Sequence, residues 1–154
     1  MTKNSKIDSH FSKYYDEKQL VDRYRISFET MMLTFILISI SGMIKIFHGP
    51  WAADNTEMAL LLSIPFTYFS IRSVLKGAYF SRDENHTFVL ILFALIGILN
   101  VATVVISVLG GKMLIENGML TENLFQLFIA LPFFAIIASH LVTKMANKKT
   151  EEDE

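Results

Sequence analysis

The chain has no cysteine. Disulfide frameworks, thiol catalysis, zinc–thiolate sites and haem attachment through Cys are therefore excluded. Charge is also scarce: only 19% of the 154 residues are Asp, Glu, Lys or Arg, against about a quarter in an ordinary soluble domain. Between Thr87 and Leu109 there is no charged residue at all. A soluble core helix keeps a charged outer face, so that stretch does not read as one. The formal net charge of −1 and the absence of a basic patch interleaved with aromatics give nucleic acid no footing. No G-x-S-x-G, P-loop or H-E-x-x-H occurs. His10, His48, His86 and His140 are scattered along the chain without a second ligand at metal spacing. The sequence thus predicts no catalytic, metal or cofactor residues and no enzyme.

What the chain has in excess is apolar residues, 52% of the total. They gather in four blocks, at 30–47, 58–75, 87–109 and 124–143. A bilayer core of about 30 Å needs about 17–25 apolar residues per helical span, and all four blocks are close to that length. The expected fold is all-α and integral to a membrane: a bundle of four transmembrane helices, preceded by a cytoplasmic segment 1–29 and followed by a charged tail, 144–154, expected to be disordered and solvated. The first 29 residues are too charged for a cleavable signal peptide, so the first span is expected to act as its own insertion signal.

Orientation follows from Lys and Arg, which collect on the cytoplasmic side of short membrane loops. Lys3, Lys6, Lys13, Lys18, Arg23, Arg25, Arg72, Lys76, Arg82, Lys144, Lys148 and Lys149 all fall on one side of a four-span chain. The other side has only Lys45 and Lys112. Both termini are therefore expected inside, and Trp51, beside Gly49 and Pro50, suits an aromatic anchor at the outer interface. Residues 7–28 have an amphipathic spacing of Ile7, Phe11, Tyr14, Val21 and Phe28. Two readings stay open for them: an interfacial helix, or an extension of the first span into the cytoplasm.

At about 100° per residue each span shows one small or polar stripe. Thr30, Thr34, Ser41 and Lys45 share an arc in the first, and Thr56, Ala59, Ser63, Thr67 and Ser70 in the second. Gly97, Asn100, Thr103, Ser107 and Gly111 do so in the third, and Gln126, Phe133, His140 and Lys144 in the fourth, with Ala130 close by. Helix packing is the plain account of such stripes, with an interhelical bond expected from Asn100. The alternative is a polar path for an ion or small solute along Asn100, Thr103 and Ser107. Pro65 and Pro132 lie mid-span, where kinks are expected.

Charges within spans are costly and tend to be paired or functional. Glu29 and Arg72 should lie at one depth and Lys45 and Glu57 at the other, with Asp54 a second partner for Lys45. Two such pairs would fix the register of the first helical hairpin. A proton or cation site is the competing reading. Phase tempers this: Glu29 and Lys45 are about 160° apart around an ideal helix, so both pairs can form only if the helices cross, a third helix intervenes or the long side chains snorkel.

These residues also carry a resemblance. "DEKQLVDRYRISFE" before the first span, an acid before the second, and "SIRSVLKGAYF" after it resemble small multi-span membrane proteins common in Firmicutes. That family opens with Asp-Glu-Arg and is catalogued as a domain of unknown function. Asp16, Glu17, Glu29, Glu57, Arg72 and Gly77 match its pattern over residues 14–80; Lys18 stands where the family usually has Arg. The resemblance implies a bacterial cytoplasmic-membrane location and weight on these charged positions, and it implies no activity. The function expected is that of an accessory, regulatory or immunity-type subunit acting through a membrane-protein partner or as a homo-oligomer within membrane lipid. Asp16, Glu17 and Arg23 form the expected docking segment; an oligomeric transporter or channel is the alternative.

Overall fold

The computed structural model describes residues 16–80 and 85–152, with side chains as far as residue 146. Helix α1 spans Glu17–His48, α2 Asp54–Leu75 and α3 His86–Leu109. A two-stranded antiparallel hairpin follows, β1 (Ile115–Glu116) and β2 (Met119–Leu120). One 3-10 turn, Glu122–Leu124, then leads into α4, Phe125–Glu152. Among the described residues, all four helices are long and apolar enough to cross a membrane. The chain is a multi-pass, all-α membrane protein with a small β cap.

Helix α1 is one continuous element of 32 residues, about 48 Å long. Of the two readings for the segment before the first span, its described part, 16–29, is the extension. The rest of that segment, with Ile7, Phe11 and Tyr14, lies outside the described residues. The start of α1 is set locally. Asp16 caps it, accepting from the Glu17 amide at 2.8 Å, while Gln19 accepts from the Asp16 amide at 3.0 Å. Gly49 and Pro50 end it. The tail differs from expectation: α4 runs on to Glu152. Met, Ala, Lys and Glu are good helix formers, and the preceding span has already met the cost of nucleation. Both α2 and α4 continue through their buried prolines, Pro65 and Pro132.

The helices form an open row rather than a closed ring. Helix α4 packs on both α2 and α3, whereas α1 packs chiefly on α2. The buried centre is built from small residues: Thr56, Ser70, Ser73 and Ala78 are fully buried, with Ala130 and Ile136 on α4. Small side chains let helices approach where lipid supplies no hydrophobic drive between them. At Gly97 the approach is closest: an added Cβ would stand 3.0 Å from the Phe134 ring. Phe93 and Phe133, with ring centroids 5.5 Å apart, extend the α3–α4 contact.

Several hydroxyls bond back to their own helices. Thr30 donates to the Ile26 carbonyl, Thr34 to Thr30, Thr103 to Leu99 and Ser139 to Ala135. Asn100 behaves in the same way. Its amide returns to the Ile96 carbonyl at 2.8 Å, where an interhelical bond was expected. Thr103 is exposed, and Asn100 and Ser107 are half-buried.

Candidate functional site

Helix α1 packs chiefly on α2, and among its buried or half-buried positions Ile26, Thr30, Leu33, Leu37, Ser41 and Ile44 form a stripe three or four residues apart. At 100° per residue, Glu29 projects to one flank of that stripe and Lys45 to the other. The phase difference is therefore no obstacle to pairing. Each long side chain reaches around its own side of the interface. Glu29 to Lys45 covers about 24 Å of helix and Glu57 to Arg72 about 22 Å, so an antiparallel pair can close both ends at once.

At the hairpin end, Lys45 Nζ lies 2.5 Å from Glu57 Oε2 and 3.8 Å from Asp54 Oδ1. Glu57 is buried, and its other oxygen accepts from the Ser41 hydroxyl. Ser41 in turn accepts from the Trp51 indole N–H at 3.1 Å. Trp51 is thus half-buried and tied to this network. At the opposite end, Glu29 accepts from Tyr68 at 2.7 Å and from Arg25 Nε at 3.2 Å, and Arg72 Nη2 stands 3.6 Å from it. Nearly three turns back along α1, Gln19 donates to the Gly77 carbonyl at 2.7 Å. Gly77 has φ 65°, a left-handed conformation that ends α2 and turns its carbonyl towards α1.

Two polar latches therefore hold α1 at its ends, and between them it offers the bilayer an apolar surface. Phe28, Met31, Met32, Phe35, Ile36 and Met43 are all exposed. Only 6% of the most apolar stretch of α1 is buried, against 11% for α3, 22% for α4 and 33% for α2.

The segment after α3 is a built cap. Asn117 (φ 49°) and Gly118 (φ 78°) make the two-residue turn of the hairpin. Asn-Gly between apolar residues, "IENGML", is the sequence signal for such a turn. The cap is stitched to the α1–α2 loop: the Leu120 amide donates to the Trp51 carbonyl at 3.1 Å and the Ala53 amide to the Leu120 carbonyl at 2.8 Å. Thr56, beside Glu57, donates to the Thr121 carbonyl at 2.9 Å.

Of the docking residues, Asp16 and Glu17 form the capped first turn of α1, and Arg23 is half-buried. The histidines are less scattered than their sequence positions imply. The His86 and His140 rings lie 6.4 Å apart, with Phe80 stacked on the first at 4.6 Å and edge-on to the second at 5.6 Å. Among the described residues no group of three or more His, Asp or Glu is placed to hold a metal ion.

Four helices long and apolar enough to cross a membrane, one of them latched at the periphery, and a small β cap define a multi-pass helical membrane protein. The chain belongs to a family of unknown function, DUF6773, whose model matches residues 11–154. No curated protein and no solved structure matches it.

Proposed function

We propose that this is a four-span protein of a bacterial cytoplasmic membrane that acts through a membrane-protein partner, as an accessory, regulatory or immunity-type subunit without chemistry of its own. The start of α1 and the end of α4 lie on the cytoplasmic side, in keeping with Lys18, Arg23, Arg25, Arg72, Lys76 and Lys144 at that end. The observation that carries the reading is the placement of α1. It is fixed at both ends yet left uncovered by the other spans, as suits an element that presents a membrane-embedded face to a second protein.

The test is gentle purification of C-terminally tagged protein from native membranes, with stoichiometric companions identified by mass spectrometry. A reproducible second protein supports the reading, and self-oligomers alone defeat it. Charge reversal in the cytoplasmic turn must respect the cap. Glu17→Lys and Arg23→Glu probe docking, while Asp16→Asn keeps a capping side chain and removes the charge.

The transporter alternative draws on one feature, the lipid-exposed position of Thr103 beside half-buried Asn100 and Ser107. An open row of helices encloses no path in one copy, so that reading needs several. Asn100→Leu would abolish flux in folded, reconstituted protein if it holds.

A further inference from the structure

An apolar groove of about 440 Å³ runs between α2 and α4. Met58, Leu62 and Phe66, four residues apart on α2, form an exposed rim, so the groove opens sideways into the bilayer. Its floor is Ala59 and Ser63, and Pro132 and Phe133 wall it on α4. From Asn55 to Phe66 it extends about 17 Å along the helix axis. That is close to half of a hydrocarbon core of about 30 Å, the depth of one leaflet.

Near its hairpin end lies a second cavity, of about 580 Å³, lined by Lys112, Glu116, Thr121, Glu122 and Asn123. No residue lines both, but Asn55 at the mouth of the groove donates to Glu122 Oε1 of the second cavity at 3.4 Å, which sets the two side by side. An apolar slot one leaflet deep therefore has a polar site with one cation and two acids beside its mouth.

We propose that this composite site binds one zwitterionic aminophospholipid from the leaflet at the hairpin end. An acyl chain lies along the α2–α4 groove, Lys112 meets the phosphate, and Glu116 and Glu122 meet the ammonium. Charge selects the headgroup. Lys112 with two carboxylates leaves a net negative mouth, which disfavours a purely anionic lipid and complements an amine. The site does not depend on a protein partner.

Native mass spectrometry of the full chain, delipidated and then titrated with phosphatidylethanolamine or phosphatidylglycerol, tests it. The expected result is one phosphatidylethanolamine retained per chain in preference to phosphatidylglycerol. Lys112→Ala should weaken retention about three- to fivefold, the worth of one exposed ion pair. Ser63→Phe, which fills the floor, should weaken it about tenfold or more. Leu62→Trp on the exposed rim serves the same purpose should the floor variant not fold. Equal retention of the two lipids, or retention unmoved by the mouth and groove variants, overturns the proposal. So does a Leu62→Cys variant that cross-links to a second copy in bilayers, since the groove would then be a protein interface.

Discussion

Ser41→Ala should be far more damaging than its chemistry implies. The hydroxyl is buried, donates to the buried Glu57 carboxylate and accepts from the Trp51 indole. Neutral hydrogen bonds between membrane helices average about 0.6 kcal/mol. Here the acceptor is ionised and has little access to water, and a hydrogen bond to a charged group contributes about 1.5–3 kcal/mol. Loss of the Trp51 bond adds little, because the half-buried indole can turn to the interface. The expected cost is therefore about 1.5–3 kcal/mol, nearly all from Glu57. Ser39 supplies the control: two residues away on α1, it is exposed and bonds only to the Phe35 carbonyl of its own helix. Ser39→Ala should stay within about 0.5 kcal/mol of the parent. Reversible unfolding of both variants in bicelles measures the difference, and Trp51 fluorescence reports the lost indole partner. Equal costs for the two serines would refute the latch.

Three further outcomes follow from the same contacts. Lys45→Met, which strands the buried Glu57 carboxylate, should be worse than Glu57→Leu, and the double variant should be more stable than Lys45→Met alone; unfolding in bicelles ranks the three. Gly97→Val drives a side chain into the Phe134 ring and should cost about 1–3 kcal/mol, with Phe134→Ala restoring most of it. Gly118→Val places a β-branched residue at φ 78° and should cost about 1–3 kcal/mol locally, exposing a cysteine introduced at Leu120 to a membrane-impermeant thiol reagent while the spans stay folded.

The membrane class was legible because it depends on run length and charge exclusion, both properties of sequence alone. The α3 segment from His86 to Leu109 shows this most plainly. Which end of α1 meets which end of α2 was also open to reading, since antiparallel spans equate depth with residue count. Pairing geometry was not. It depends on where the contact stripe lies relative to Glu29 and Lys45, which is fixed by the packing of Ile26, Ser41 and Ile44 on α2. Asn100 was misjudged for a related reason. A polar side chain in an apolar span needs a partner, and the Ile96 carbonyl one turn back supplies it at less entropic cost than a neighbouring helix. The tail was misjudged from its charge alone, though a helix arriving from the membrane carries Lys-rich sequence onward readily. The hairpin cap had a local signal in Asn117-Gly118. Its attachment to Trp51 and Ala53 did not, being a contact between segments more than sixty residues apart.

The central claim is that the uncovered face of α1 is where a partner binds. A photo-cross-linking residue at Ile36 or Met43 on α1, compared with one at Ile98 on the exposed face of α3, tests it most directly in native membranes. The account predicts a discrete cross-linked protein from the α1 positions and lipid adducts alone from Ile98. Lipid adducts alone from all three positions would contradict it.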